Sequence, residues 1–210
     1  IEDGMDVYSS TQWMDLTQIA IADMLKVDNN SVNMHVRRLG GGYGAKISRG
    51  NQIACAVALA AHHLNQPVRF VMKLEANMNI IGKRYPTIND YDVKIDENGR
   101  IQDLQTAFTQ DLGCSKNESA HLTAAECFNN CYDHTHFKVD PQAVKTDAPS
   151  NTWCRAPGTL EGIAMIENIM EHIAFGLKKD PVEVRMENIP NDSPMRQYLT
   201  DFIKSTDYNQ

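Results

Sequence analysis

Ser31-Val32-Asn33-Met34-His35-Val36-Arg37-Arg38-Leu39-Gly40-Gly41-Gly42-Tyr43-Gly44-Ala45-Lys46 is the stretch on which the fold turns. From Ser31 to Leu39 the pattern alternates, with Val32, Met34 and Val36 on one side and Asn33, His35 and Arg37 on the other, as a half-buried strand requires. Four glycines within the next five residues then remove side chains where the backbone must approach something closely, and consecutive amides there can point at an anion. The plainest reading is a tight turn. Gly40-x-Gly42-x-x-Ala45 also matches a dinucleotide fingerprint in form. That match is flawed: Lys46 to Gly50 separate the loop from the next helical pattern. The first acid beyond the following apolar run is Glu75, roughly 30 residues on where about 20 is expected.

Outward from this stretch the chain reads as alternating elements. Leu16, Ile19, Ala20 and Met24 fall at helical spacing and predict an amphipathic helix from about Trp13 to Leu25, with Thr17, Gln18 and Asp23 facing away. Ala-rich Gln52 to Leu64 predicts a buried helix and Val68 to Met72 a short strand, giving strand, glycine loop, helix, strand. Tyr91, Val93 and Ile95 alternate up to Glu97-Asn98-Gly99, and Ile101 to Thr109 returns, which is a hairpin with an Asn-Gly turn. Asp111 to Pro141 is irregular and polar and reads as a long structured loop or lid. Ile163, Ile166, Ile169, Met170, Ile173 and Leu177 share one face of a helix from about Leu160 to Lys178. Asp180 then caps another helix, with Pro181 at its first position and Glu183 at its third. The expected fold class is α+β, mixed sheets with packed helices.

Composition narrows the function classes. The 210 residues carry 20 Lys+Arg against 27 Asp+Glu, a formal charge of −7 that argues against nonspecific nucleic-acid binding. With 42% apolar and 22% charged residues the chain is neither a disordered tail nor a fibre. The longest apolar run, Ile53 to Ala61, falls short of the roughly 18 residues that cross a bilayer, so no membrane partner is expected. Cysteines at 55, 114, 127, 131 and 154 form an odd set without a repeated framework, which suits free thiols and a cytoplasmic setting. Cys127, Cys131, His134 and His136 could ligate zinc and define a zinc-stabilised interaction domain, but Cys-x3-Cys-x2-His-x-His leaves almost no loop between ligand pairs. A surface loop fits them better. His62 and His63 end a helix, where a cation suits the dipole. A nucleotide-binding module on residues 32 to 75, using the glycine loop 40–45, is a further alternative.

Taken together, Ser10-Thr11-Gln12, Arg38 to Lys46 and Pro149-Ser150-Asn151-Thr152-Trp153-Cys154-Arg155 resemble the molybdenum-binding part of the xanthine dehydrogenase and aldehyde oxidase family. Asn130-Cys131-Tyr132 and Asp180-Pro181-x-Glu183-Val184-Arg185-x-Glu187-Asn188 look like family segments too, so the resemblance covers nearly the whole chain. It implies a molybdenum cofactor on a pterin, with FAD and two 2Fe-2S clusters in the full-length enzyme, a homodimer, and hydroxylation of an aldehyde or heteroaromatic carbon with oxygen from water. The protein's task is to place and polarise the cofactor. Gln12 matches the glutamine that hydrogen-bonds a molybdenum oxo ligand. Gly41, Gly42, Tyr43 and Gly44 match the backbone segment at the metal end, with Tyr43 where the family usually has Phe. Arg155 matches an arginine near metal and pterin. No direct side-chain ligand to the metal is implied.

Departures from the family point to a branch. Xanthine-oxidising members have a pocket glutamate where this chain has Ile47, a purine-binding arginine where ungapped counting gives Thr123, and a stacking Phe where Pro157 stands in Arg155-Ala156-Pro157-Gly158. Removing a carboxylate and an arginine leaves polar purines unpaired and favours apolar compounds. The resemblance therefore implies an aldehyde oxidase of insect-like form, with a xanthine dehydrogenase-type purine hydroxylase as the alternative. The chain starts at Ile1 without Met, and the family's general-base glutamate has no counterpart before Gln210. Residues 1–210 are thus expected to be the first part of the molybdenum-binding region, inactive alone, with the iron–sulfur, flavin and C-terminal molybdenum domains elsewhere in a longer chain.

Overall fold

A computed structural model describes residues 4–206 and 208, arranged as two compact units. The first unit comprises residues up to Pro86, Asp111–Ser119 and Val144–Ala156. The second comprises Thr87–Gln110, Ala120–Ala143 and the chain from Pro157 onward. Helices and small sheets are mixed, as expected of an α+β chain.

In the first unit, β1 (Met5–Tyr8) and β2 (Val32–His35) pair in parallel, Val7 opposite Met34, and α1 (Met14–Leu25) connects them. The helix α2 (Asn51–Leu64) follows the glycine loop. Val7, Ile21, Ala22, Val32, Ala54 and Ala58 form one small core. Two sequence expectations are corrected here. Thr17 does not face outward: it is fully buried, and its hydroxyl donates to Asn51 Oδ1 at 2.7 Å, so a satisfied polar group sits between α1 and α2. The helix α2 is not buried all round, since only Ala54 and Ala58 on it are buried while Leu59 and Leu64 are exposed.

The expected strand at Val68 to Met72 does not form. Phe70 and Val71 are exposed with no ladder partner, and α3 (Leu74–Ile80) follows instead. β-propensity without a neighbouring strand is insufficient. The parallel partner of β2 is therefore β1, which precedes it in the chain, and the strand–loop–helix–strand unit of a nucleotide-binding module is missing among the described residues.

In the second unit, β3 (Thr87–Ile95) and β4 (Ile101–Asp111) pair antiparallel, Tyr91 opposite Thr106, with the turn at Gly99. The stretch read as a loop or lid is corrected: it holds α4 (His121–Cys127) and β5 (Phe137–Val144), the latter completing a sheet ordered β3-β4-β5. The helix α4 leaves no periodic signature because it is under two turns long and is held by packing rather than propensity. A Cβ on Gly162 of α5 (Thr159–Leu177) would lie 2.3 Å from the Ala124 carbonyl, so the two helices meet backbone to backbone. The expected face of α5 is the core: Ile166, Ile169 and Met170 are fully buried with Leu104, Phe108 and Phe128. Asp180 caps α6 (Pro181–Asn188), its carboxylate accepting from the Val182 and Glu183 amides. A further helix, α7 (Pro194–Ser205), has Ser193 as its cap.

Two family-like segments meet in this unit around Glu167. Its carboxylate accepts from Asn130 Nδ2 at 2.8 Å, from the Tyr132 hydroxyl at 2.5 Å and from Arg185 Nε at 2.9 Å. Arg185 also pairs with Glu171 at 2.7 Å. Buried Asn188 donates to the Gly99 and Val184 carbonyls and accepts from the Ile101 amide. These segments hold the second unit together.

Candidate functional site

All the residues matched to cofactor binding lie in the first unit. Thr11 is buried just beyond β1, and its hydroxyl donates to the Lys46 carbonyl at 3.3 Å. The next residue, Gln12, is stitched to the far end of the glycine loop in both directions. Its N–H donates to the Lys46 carbonyl at 2.8 Å, and its side-chain Oε1 accepts from the Lys46 amide at 3.2 Å. The same Oε1 accepts from the Gly44 amide at 2.9 Å. Two backbone donors on one oxygen decide the amide's orientation, which leaves the Nε2 hydrogens as free donors. Gln12 is exposed, and Nε2 has no partner among the described residues.

Glycine lets the loop approach these partners closely. A Cβ on Gly42 would stand 2.4 Å from Gln12 Oε1, and one on Gly44 would stand 2.6 Å from the Trp153 carbonyl oxygen, with Gly44 at φ +96°. At Gly44 close approach to backbone and left-handed φ both exclude a side chain. Tyr43 between them takes φ +51° although it is not glycine. Its carbonyl accepts the Arg155 amide at 2.8 Å, so the third stretch docks directly on the loop. Arg155 and Ala156 themselves sit at φ +21° and +57°. Non-glycine residues in such conformations each cost about 1–3 kcal/mol and persist only where neighbours over-determine them. The Arg155 side chain is exposed, with no hydrogen bond or ion pair among the described residues.

The three quoted stretches therefore converge on the glycine loop, Gln12 through its side-chain oxygen and Arg155 through its backbone amide, and each has side-chain donors without a partner among the described residues. That donor set suits oxygen acceptors. The residues fit an anionic, oxygen-rich group approached by bare backbone. Parallel strand ends add to this: a polar cavity of about 470 Å³ opens at the carboxyl ends of β1 and β2, lined by Tyr8, Ser9, Ser10, His35, Arg37 and Arg38. His35 is held there by a 3.0 Å contact with Asp6 and by stacking on Tyr8.

The residues expected to line a substrate pocket lie in different units. Ile47 is half-buried in the first, its amide donating to the Gly44 carbonyl at 3.0 Å. Thr123, on α4, and Pro157 belong to the second, where a Cβ on Gly158 would lie 2.7 Å from Thr123 Cβ. Thr123 thus adjoins the residue next to Pro157 in the chain.

Cys127, Cys131, His134 and His136 do not converge. Cys127 Sγ lies 3.6 Å from the Thr159 hydroxyl, Cys131 packs on the core, and both histidines are exposed. Among the described residues no group of three or more His, Cys, Asp or Glu could hold a metal ion, so the zinc reading has no structural support. Burial pushes the Cys131 thiol up from its ordinary value, with Glu167 adding to it, which is the behaviour of an inert core cysteine. Among the described residues no helix is long and apolar enough to cross a membrane.

Sequence reasoning missed Glu118 and Arg84, which hold the Arg155 stretch. Neither carries a motif of its own.

The loop that follows β1 and carries Gln12 is thus bonded to the glycine loop that follows β2, and Arg155 docks on the latter through its backbone. Residues 1–189 match the family model for the molybdopterin cofactor-binding domain. The chain is 33% identical over 194 residues to aldehyde oxidase 4 of Arabidopsis thaliana, covering 91% of this chain and 14% of that protein. It is 31% identical over 198 residues to xanthine dehydrogenase of Calliphora vicina, covering 93% and 15%. Its fold matches the aldehyde oxidoreductase of Desulfovibrio desulfuricans with a TM-score of 0.84 at 19% identity, over 98% of this chain and 24% of that one. The chain belongs to the molybdopterin cofactor-binding domain family found in aldehyde oxidases and xanthine dehydrogenases, and it spans about one seventh of the length of the relatives it matches.

Proposed function

We propose that this chain is the cofactor-cradling part of a molybdenum hydroxylase that oxidises aldehydes to carboxylic acids. The observation that carries the reading is the Gln12 amide, locked by Gly44 and Lys46 so that its N–H donors are free beside the loop on which Arg155 docks. Bound there, the molybdenum cofactor supplies the two-electron redox chemistry, with FAD and iron–sulfur clusters of the longer chain as electron carriers to oxygen. Gln12 Nε2 would donate to an oxygen of that group, and the Arg155 guanidinium would offer a second, charged donor. Gly42 and Gly44 let backbone approach without a side chain between. The strained Tyr43 and Arg155 backbones store the geometry before the cofactor arrives, as a preorganised site should.

Substrate class follows from side-chain chemistry. Ile47 and Thr123 carry no charge where a purine-oxidising pocket needs a carboxylate and a guanidinium, and Pro157 offers an aliphatic ring in place of an aromatic one. A site that lacks those partners rejects a polar purine far more strongly than an apolar aldehyde. The test is turnover of several aldehydes and of xanthine by the full-length protein, with molybdenum measured in the same preparation. Aldehydes are expected to show the higher kcat/KM. A preference for xanthine overturns the substrate assignment, and activity without molybdenum overturns the whole reading.

A further inference from the structure

The cofactor reading leaves Glu118 without a role. It lies in the segment 111–119 of the first unit and stands half-buried. Its Oε2 accepts two hydrogen bonds from the stretch that ends in Arg155: the Thr152 hydroxyl at 2.7 Å and the Trp153 amide at 3.0 Å. Thr152 is 1% exposed, so this contact is made away from water. Hydrogen bonds to a carboxylate are roughly twice as strong as neutral ones. The Trp153 carbonyl, one peptide further on, is the atom that a Cβ on Gly44 would meet at 2.6 Å. One carboxylate therefore grips the very peptides whose far side meets the glycine loop.

The backbone just beyond Trp153 is strained and needs holding. Arg155 and Ala156 occupy left-handed conformations, and Arg155 is tied at both ends, by its amide to Tyr43 and by its carbonyl, which accepts from the Arg84 guanidinium at 2.6 Å. Upstream of that strained pair, Asn117 donates to the Asn151 carbonyl and the Trp153 indole donates to the Ser119 carbonyl, while Glu118 supplies the side-chain acceptor for the Thr152 hydroxyl and the Trp153 amide. Its other oxygen, Oε1, is buried without a hydrogen bond, so the carboxylate's whole commitment among the described residues is to Thr152 and Trp153.

We propose that Glu118 is a positioning residue for the cofactor site: by clamping Thr152 and Trp153 against Gly44 it sets where Arg155 stands relative to Gln12. The inference rests on the cofactor reading for its functional consequence, and on geometry alone for the clamp.

The experiment uses the full-length protein as wild type, Glu118→Ala, Glu118→Gln and, as a control that weakens the second unit instead, Asn188→Ala. Two quantities are read: amide hydrogen exchange across residues 150–156, and the rate at which molybdenum is lost on dialysis. Glu118→Ala is expected to speed exchange in that segment and to lose molybdenum at least about 10-fold faster, the size of effect seen when an outer partner of a metal site is removed. Glu118→Gln keeps an acceptor oxygen but not the charge and is expected to fall between wild type and Glu118→Ala in both readouts. Asn188→Ala is expected to lower the melting temperature with no change in either readout. The clamp is overturned if Glu118→Ala exchanges like wild type, or if Glu118→Gln behaves like Glu118→Ala. The positioning role is overturned if the two alanine variants lose molybdenum equally fast. Wild type without molybdenum would sink the cofactor reading, while the exchange measurement still judges the clamp.

Discussion

The side-chain oxygen of Gln12 accepts the backbone amide of Gly44 at 2.9 Å, 32 residues further along the chain. This bond makes Gln12 both a brace for the glycine loop and a donor presented beyond it, and the two roles can be separated by substitution. A glutamate side chain keeps the acceptor and discards the donor. In the full-length protein Gln12→Glu is expected to retain its melting temperature within a few degrees while kcat falls about 100-fold, the order lost when one preorganised donor is removed. Gln12→Ala, which discards both, should also lose about 1–2 kcal/mol of stability. Equal loss of stability in the two variants would contradict this division.

The glycines of the loop should not be equivalent. Gly40→Ala meets no atom within 4 Å and bears only the left-handed backbone cost, whereas Gly44→Ala adds a 2.6 Å clash with the Trp153 carbonyl. We expect about 1 kcal/mol for the first and at least about 3 kcal/mol for the second, measured by denaturant unfolding, with cofactor lost only in the second. The reverse order would show that Gly44 and Trp153 do not touch.

Ile47→Glu places a carboxylate beside the loop. Apolar aldehydes should lose about 10-fold or more in kcat/KM, and hydroxylated purines should gain relative to them. An unchanged ratio of the two substrate classes would remove residue 47 from the pocket.

Glu167→Ala is expected to act on stability and leave the site alone. Removing an acceptor shared by Asn130, Tyr132 and Arg185 should cost about 2–3 kcal/mol, discounted because Arg185 and Glu167 are 20% and 30% exposed. Turnover per bound molybdenum should not change; a selective fall in it would give this network a functional role.

Acid should act through Asp133 among others. Hydrogen bonds from the Thr135 hydroxyl and amide hold its carboxyl below the ordinary value, with Arg100 assisting. A lowered folded-state value means stability present above about pH 4 and lost as pH falls through that lower value. Asp133→Asn should flatten this part of the acid unfolding curve. An identical curve would mean the pairing is not formed in solution.

Several elements were legible in the chain because their causes are local. The hairpin follows from alternation around Glu97-Asn98-Gly99, α5 from six apolar residues on one face, and α6 from Asp180 and Pro181 at its start. The residues proposed to face the cofactor were picked out by resemblance over separated motifs, not by any local pattern. The strand expected at Val68 to Met72 is absent, since a strand exists only with a neighbour to pair with. The stretch after Asp111 looks irregular because α4 and β5 owe their form to α5 and β4.

By itself, then, the sequence determined periodicity, caps, turn residues and the identity of the cofactor-facing side chains proposed here, since each depends on neighbours within a few residues or on the letters alone. Tertiary structure decided that Thr17 is buried, which way the Gln12 amide points, that Gly44 must be bare and that Glu118 grips Thr152 and Trp153. Each of those depends on atoms brought together from positions tens of residues apart, and no local pattern records such a meeting.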